Sequence, residues 1–257
     1  MKKLLLLVGV LGVIIVGLVV TLVLSINPII EKAVNTFGPE LTKANVSLNK
    51  ADVSFMSGKG SLEGFMLGNP AGFKSDHAMK VDGVLVKIDK DSLTKDTIVI
   101  HLVEIVNPDI IYEKSGRTDN FTALLNNVKK SVASDKSPQA PAEEQPADAD
   151  SQRKVIIDNF IVRGGNVSLT MAELGGKGIS APLPDIHLKD IGREKQGATP
   201  AEALEKIFGA LNDAVGKAAT SGIREATKGI TEGLGKGTDA VKEQGGKMGD
   251  AVKNLFN

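Results

Sequence analysis

The sequence predicts an α+β chain: an N-terminal transmembrane helix, an antiparallel β-sheet with flanking short helices, and a C-terminal amphipathic, Gly-rich helix. Three observations carry this. Residues 4–26 hold no charged side chain. Residues 84–88, 97–106 and 155–162 are rich in β-branched residues and bounded by Gly, Asn and Asp. After Thr199-Pro200, the residues Leu204, Phe208, Leu211 and Val215 step by four, three and four, which puts them on one helical face.

The apolar run covers 23 residues, roughly 34 Å of helix, against a bilayer core of ~30 Å. A secretory signal has a shorter apolar region followed by small residues at a cleavage site. Here the run leaves through Leu24-Ser25-Ile26-Asn27-Pro28, so an uncleaved single-pass anchor is expected. Lys2 and Lys3 precede it without a nearby acid, whereas Lys32 and Lys43 beyond it are matched by Glu31 and Glu40. Basic flanks stay cytoplasmic, which puts the N-terminus inside and the body on the far side.

With 31 basic and 31 acidic residues, overall charge gives no case for nucleic acid, which wants a basic face. There is no Cys, so disulfides and thiolate metal sites are excluded. Aromatic residues make up 4% of the chain, so its core has to be built from Val, Ile, Leu and a few Phe.

Beyond the anchor, Pro28 suits a first helical position. Ile29, Ile30, Ala33, Val34 and Phe37 share a stripe, with Gly38-Pro39 expected to end this short helix. Between about 44 and 133 the pattern is strand-like, and antiparallel by its short turns. Val84, Val86 and Ile88 alternate; in 97–106, Ile98, Ile100 and Leu102 fall on one face and Val99, Val103 and Ile105 on the other, interrupted by His101. Asn107-Pro108 stops or bends that strand, and Ile110-Ile111-Tyr112 resumes. Phe121, Leu124, Leu125 and Val128 then predict a short helix over 120–132, capped by Asp119 or Asn120. Residues 134–152 carry three Pro, many Ala and acids, and no large apolar side chain, the composition of a disordered linker. The strand 155–162 follows, with Gly164-Gly165-Asn166 read as a hairpin turn into Val167, Leu169 and Met171; Ile186, Leu188 and Ile191 make another strand. The expected organisation is an anchor at 1–26, a β-rich domain at 27–195 with the linker 134–152 inserted in it, and a helical tail at 196–257. Past Val215 the interspersed glycines predict a marginal helix that forms against a partner or a lipid surface.

The segment Gly58-Lys-Gly-Ser-Leu-Glu-Gly-Phe-Met-Leu-Gly-Asn-Pro-Ala-Gly-Phe73 resembles the signature near the start of AsmA-family proteins. So do Asn107-Pro108-Asp-Ile-Ile-Tyr-Glu113, Asn120-Phe-Thr-Ala-Leu124 and Val155-Ile-Ile-Asp-Asn-Phe-Ile-Val162, in that order along residues 1–195. The resemblance implies a body in the periplasm on an inner-membrane anchor, built on a curved antiparallel sheet with an apolar groove. It also implies a role in outer-membrane assembly or phospholipid transport in the cell envelope. Asn69, Pro70, Gly72 and Phe73 form the structural signature, read as a turn that packs Phe73 on the core. Long family members carry many sheet repeats, and this chain is too short for a bridge across the envelope, so a short groove, adaptor or accessory role is expected.

The residues support a groove on their own terms, because 97–106 and 155–162 are apolar on both faces where a half-wet sheet alternates. Ile98, Ile100, Leu102, Ile157 and Ile161 are the candidates for contact with lipid. No catalytic pattern accompanies them. His77, His101 and His187 have no metal-ligand spacing, Gly58-Lys-Gly-Ser lacks that of a phosphate loop, and no G-x-S-x-G elbow occurs. The expected function is therefore a non-enzymatic lipid-binding or transport protein without a cofactor or metal. The alternative is a scaffold whose C-terminal helix docks a protein partner.

Overall fold

The computed structural model describes residues 27–54, 56–135, 153–170 and 179–234. The predicted anchor at 1–26, most of the predicted linker (136–152), Met171 and the end of the Gly-rich tail (235–257) lie outside the described residues. The order is α1 (27–42), β1 (Val46–Ser47), β2 (Lys50–Val53), β3 (Lys59–Leu67), β4 (Met79–Ile88), β5 (Thr97–Val106), β6 (Asp109–Ser115) and β7 (Thr118–Asp119). Then come α2 (Asn120–Asp135), β8 (Lys154–Arg163), β9 (Asn166–Thr170), β10 (Ile179–Pro182), β11 (Ile186–Ile191) and α3 (Pro200–Leu234).

All the strands join in one curled sheet. Several are halves of one longer strand broken at a common level. β5 and β6 are separated by Asn107-Pro108, β8 and β9 by Gly164-Gly165, and β11 and β10 face them antiparallel across a break at 183–185. Gly64 in β3 continues the line, as does the gap between β1 and β2. Gly64, Asn107 and Gly164 all have positive φ, the backbone of a bulge that bends a strand and adds twist. The line is a crease through the whole sheet, bridged by hydrogen bonds from Asn107 N–H to the Arg163 carbonyl (2.9 Å), Asn166 N–H to Pro108 (3.1 Å) and Leu183 N–H to Gly165 (2.8 Å).

Two expectations change here. Gly164-Gly165-Asn166 does not turn a hairpin: β8 and β9 do not pair with each other but continue side by side with β5 and β6. The same Gly-Gly-Asn chemistry serves a bulge as well as a turn, and the neighbouring strands decide between them. Nor is the sheet purely antiparallel, since β5–β8 and β6–β9 are parallel. The chain crosses from β6 through β7, α2 and the 136–152 stretch before β8, and a parallel return needs such a crossover.

The helices cover one face of the sheet. α2 and α3 pack on each other, α2 on β6 and β7, and α3 on β8 to β11. Asp119 caps α2, accepting from Thr122 N–H and Thr122 Oγ1 at 2.8 Å each. Thr199 and Glu202 form a reciprocal capping box at the start of α3. α3 remains a core helix past Val215, burying Ala218, Ala219 and Ile223. The sequence pattern undervalued these positions because small residues let helix and sheet approach closely. A Cβ at Gly222 would lie 3.1 Å from the Ala181 Cβ and 3.2 Å from the Ile179 Cγ2.

α1 runs through Gly38-Pro39 to residue 42 rather than ending there. Proline removes one N–H, but its fixed φ fits a helix, and the last carbonyls find donors. Thr42 Oγ1 donates to Gly38 O (2.7 Å), Ser131 Oγ to Leu41 O (3.3 Å) and Asn127 Nδ2 to Thr42 O (2.9 Å). Lys43, at φ 53°, then closes the helix in left-handed geometry. α1 also serves the edge of the sheet. Asn27 Oδ1, Glu31 Oε1 and Asn35 Oδ1, one helical turn apart, accept from the backbone N–H groups of Val53 (2.8 Å), Ala51 (2.7 Å) and Leu48 (2.7 Å). Three side chains thus replace a neighbouring strand on an edge that would otherwise invite pairing.

The crease makes a stability prediction. A Cβ at Gly164 would collide with Asn107 Oδ1 at a φ of 67°, whereas Gly72, at φ 101°, has open space around it. Gly164→Ala should therefore cost about 2–3 kcal/mol and Gly72→Ala about 1 kcal/mol, read as urea midpoints of the detergent-solubilised full chain by circular dichroism.

Candidate functional site

Of the signature residues, Asn69 enters a buried polar knot with Ser75, Glu113 and Asn120. Asn120 is fully buried (0% exposed) and Glu113 is 8% exposed. Glu113 accepts from Lys74 N–H (2.9 Å), Ser75 N–H (2.7 Å) and Ser75 Oγ (2.6 Å). Asn120 Nδ2 donates to Asn69 Oδ1 (2.8 Å) and Ile111 O (2.7 Å), and Asn120 Oδ1 accepts from Glu113 N–H (3.1 Å). Asn69 Nδ2 closes the ring onto Ser75 O (2.8 Å). Among the described residues no buried side-chain polar atom lacks a partner, so the knot is fully satisfied and holds the 69–78 loop to β6 and to the start of α2. Pro70 is buried, Gly72 supplies a positive φ, and Phe73 is half-buried outside the core cluster. The expectation that Phe73 packs the turn onto the core is corrected: hydrogen bonds to Glu113 and Asn120 hold the loop. The sequence reading carried Glu113 only as the end of the 107–113 segment and not in this role, because its partners lie 38 and 39 residues away.

Burial pushes the Glu113 carboxyl up, but the hydrogen bonds from Ser75 and Lys74 outweigh it and hold the group below its usual range. Beside the knot, burial and then the charge of Asp119 push the Tyr112 phenol up to about 12.

The five apolar candidates divide between the two faces. Ile157 is buried in the core at 6% exposed, and Ile100 packs against that core. Ile98, two residues from Ile100, pairs with Val155, which also packs on the core. These three meet the helix-covered face. Leu102 is opposite exposed Lys87, and Ile161 is opposite Glu104 and His187; neither belongs to the core. A register shift near Lys87 and Ile88 breaks the alternation. Val103 and Ile105 accordingly share the helix-covered face with Ile100, and Leu102 moves to the other, correcting the faces read from simple alternation.

The open face is therefore the candidate site. Its rows run straight across the strands: Ser61, Leu85, Glu104, Ile161 and His187 in one, and Val99 beside Ile156 in another. Leu85 is 52% exposed, and Val99, Leu102, Ile156 and Ile161 are partly exposed. Paired polar groups flank them. Asp158 meets His101 Nδ1 at 2.8 Å and also Arg193, which reaches Asp190 at 2.9 Å. Arg163 Nε donates to Glu104 (2.8 Å), and His187 Nε2 is 2.9 Å from Asn159 Oδ1. Burial raises the Asp158 carboxyl, yet the hydrogen bonds from His101 and Arg193 leave it below its ordinary value. On the helix side, a cleft of about 370 Å³ between α2, α3 and the 192–198 turn is ringed by Lys129, Lys195, Lys206, Glu194, Glu202 and Glu205. Among the described residues no group of three or more His, Cys, Asp or Glu is placed to hold a metal, and no helix is long and apolar enough to cross a membrane.

Set against known proteins, the chain matches no family model, no curated protein and no solved structure. The AsmA resemblance accordingly rests on the motifs themselves and on the order in which they occur.

The knot carries a pH signature. Because its folded-state carboxyl is depressed, Glu113 contributes stability above the ordinary glutamate range, around pH 4.3, and loses it as pH falls through the lower folded value. Glu113→Gln should lower the urea midpoint at pH 7 and flatten the decline below about pH 4.5. An acid limb as steep as that of the parent would remove Glu113 from this role.

Proposed function

We propose that this chain is a membrane-tethered, non-enzymatic protein of the cell envelope, similar to AsmA proteins, that holds lipid acyl chain on the open face of its sheet. One observation carries the reading: two adjoining strands, β5 and β8, present apolar side chains to both faces, and the helices fill only one. Val99, Leu102, Ile156 and Ile161 remain without helix cover, and burying such side chains yields about 25 cal/mol per Å² of apolar area. The groove expected on one side of the curl is occupied by α2 and α3, so the lipid contact falls on the opposite side. The anchor supplies a membrane source of lipid. In a Gram-negative-type envelope the body lies in the periplasm.

The second reading, a scaffold docked through its last helix, draws on α3 itself. The helix continues for three turns beyond Ile223, with Arg224, Glu225 and Lys228 exposed.

Photocrosslinking separates the two. With benzoylphenylalanine at Leu102 or Ile161 in the full chain expressed in cells, lipid adducts are expected, and none from the exposed position Arg117 on the β6–β7 turn. Adducts to protein alone, with no lipid at either position, would move the assignment to the scaffold.

A further inference from the structure

The hydrogen bonds of α1 fix which end of the body faces the bilayer. Asn27 directly follows the predicted membrane span, and its side chain accepts from Val53 N–H at the end of β2. Glu31 and Asn35 repeat the contact at Ala51 and Leu48. As α1 ascends in number its partners descend, so α1 runs antiparallel to β2 along the sheet edge. Its N-terminus is thereby held at the β2–β3 turn. A chain that leaves the hydrocarbon at Ile26 has Asn27 in the headgroup layer, and a turn hydrogen-bonded to Asn27 is held in the same layer.

That turn is built for such a place. Met56 is the most exposed large apolar side chain among the described residues, at 81%. It lies three residues past Val53, within roughly 10 Å of chain, comparable with the ~5–10 Å depth of interfacial insertion. The neighbouring turns share this end of the sheet. Ile88 N–H donates to Gly58 O (2.7 Å), Lys154 N–H to Asp96 O (2.9 Å) and Thr97 Oγ1 to Gln196 O (3.3 Å). Together with Lys59, the stretches 89–96, 153–154 and 194–195 hold six basic residues against four acidic ones, a local excess in a chain whose total charge is zero. The buried knot and the β6–β7 turn with Arg117 occupy the opposite end.

We infer that the end of the sheet formed by the β2–β3, β4–β5 and 192–198 turns docks on the bilayer surface. In this arrangement Met56 enters the headgroup–acyl boundary and the surrounding lysines meet lipid phosphates. The inference rests on the membrane-tethered reading. It adds an orientation: α1 acts as a rigid bracket between span and sheet, and the open face stands upright from the membrane.

The absence of Cys gives the test a clean background. The full chain is reconstituted into phosphatidylethanolamine–phosphatidylglycerol vesicles with a nitrobenzoxadiazole label on Met56→Cys or, separately, on Arg117→Cys. Fluorescence at position 56 is expected to shift to the blue and to be quenched severalfold more strongly than at 117 by lipid spin-labelled near the glycerol. Asn27→Ala combined with Glu31→Ala should abolish that difference while circular dichroism of the body is retained. Equal quenching at both positions, or stronger quenching at 117, would overturn the docking. Alkaline extraction of the same vesicles tests the tether separately. A chain washed off removes the membrane reading altogether, whereas one that stays but shows no preference at position 56 defeats only the orientation.

Discussion

A sheet with helices packed along one side has to curve toward them, and here the curvature comes from one line of backbone irregularities. Gly64, Asn107 and Gly164 adopt positive φ at the same level of neighbouring strands, and Pro108 and Gly165 sit beside them. Each costs some ladder hydrogen bonding, and the amides of Asn107, Asn166 and Leu183 recover it across the line. Everything else is disposed about that crease. β6, β9 and β10 lie beyond it with the polar knot and α2. β5, β8 and β11 lie before it with the apolar open face. Straightening it would lift the two halves off the helices that cover them.

Much of this was legible in the residues. The strands β4, β5, β8 and β11, a cap of α2 at Asp119 or Asn120 and the start of α3 at Thr199-Pro200 follow from period and capping chemistry, which are local. The misreadings share a cause: each turned on a partner distant in sequence. Gly164-Gly165-Asn166 satisfies a hairpin and a bulge equally, and only β5 and β6 alongside decide between them. The faces of β5 exchange after a register shift that a count of alternating residues does not reveal. α1 passes Pro39 because Asn127 and Ser131, over eighty residues on, supply donors to its end. At the candidate site, sequence identified the apolar strands but not which of their side chains the helices would cover.

The first helix closes the sheet edge with side chains rather than with another strand. Asn27, Glu31 and Asn35 recur every four residues and so fall on one side of α1. In the fold they accept from the N–H groups of Val53 and Ala51 in β2 and of Leu48 just before it. The same three contacts close an aggregation-prone edge and fix α1 along it. The polar knot does for the far loop what these contacts do for the near edge: it makes a connection rigid without apolar area.

The parallel pairing of β5 with β8 has a consequence in time. Ile98 and Val155 are partners, so the centre of the sheet closes only when a long intervening stretch is available. Pairing at such sequence separation is slow relative to hairpins and helices. A chain that emerges N-terminus first presents β5 with β4 on one edge and nothing on the other until β8 arrives. During that interval the apolar side chains destined for both faces are open to other strands. Rapid local formation of α2, just after β6, shortens the gap that β8 must cross and screens part of that surface. How long the apolar surface of the nascent chain stays open therefore depends on how quickly a helix forms beside a sheet that is still half built.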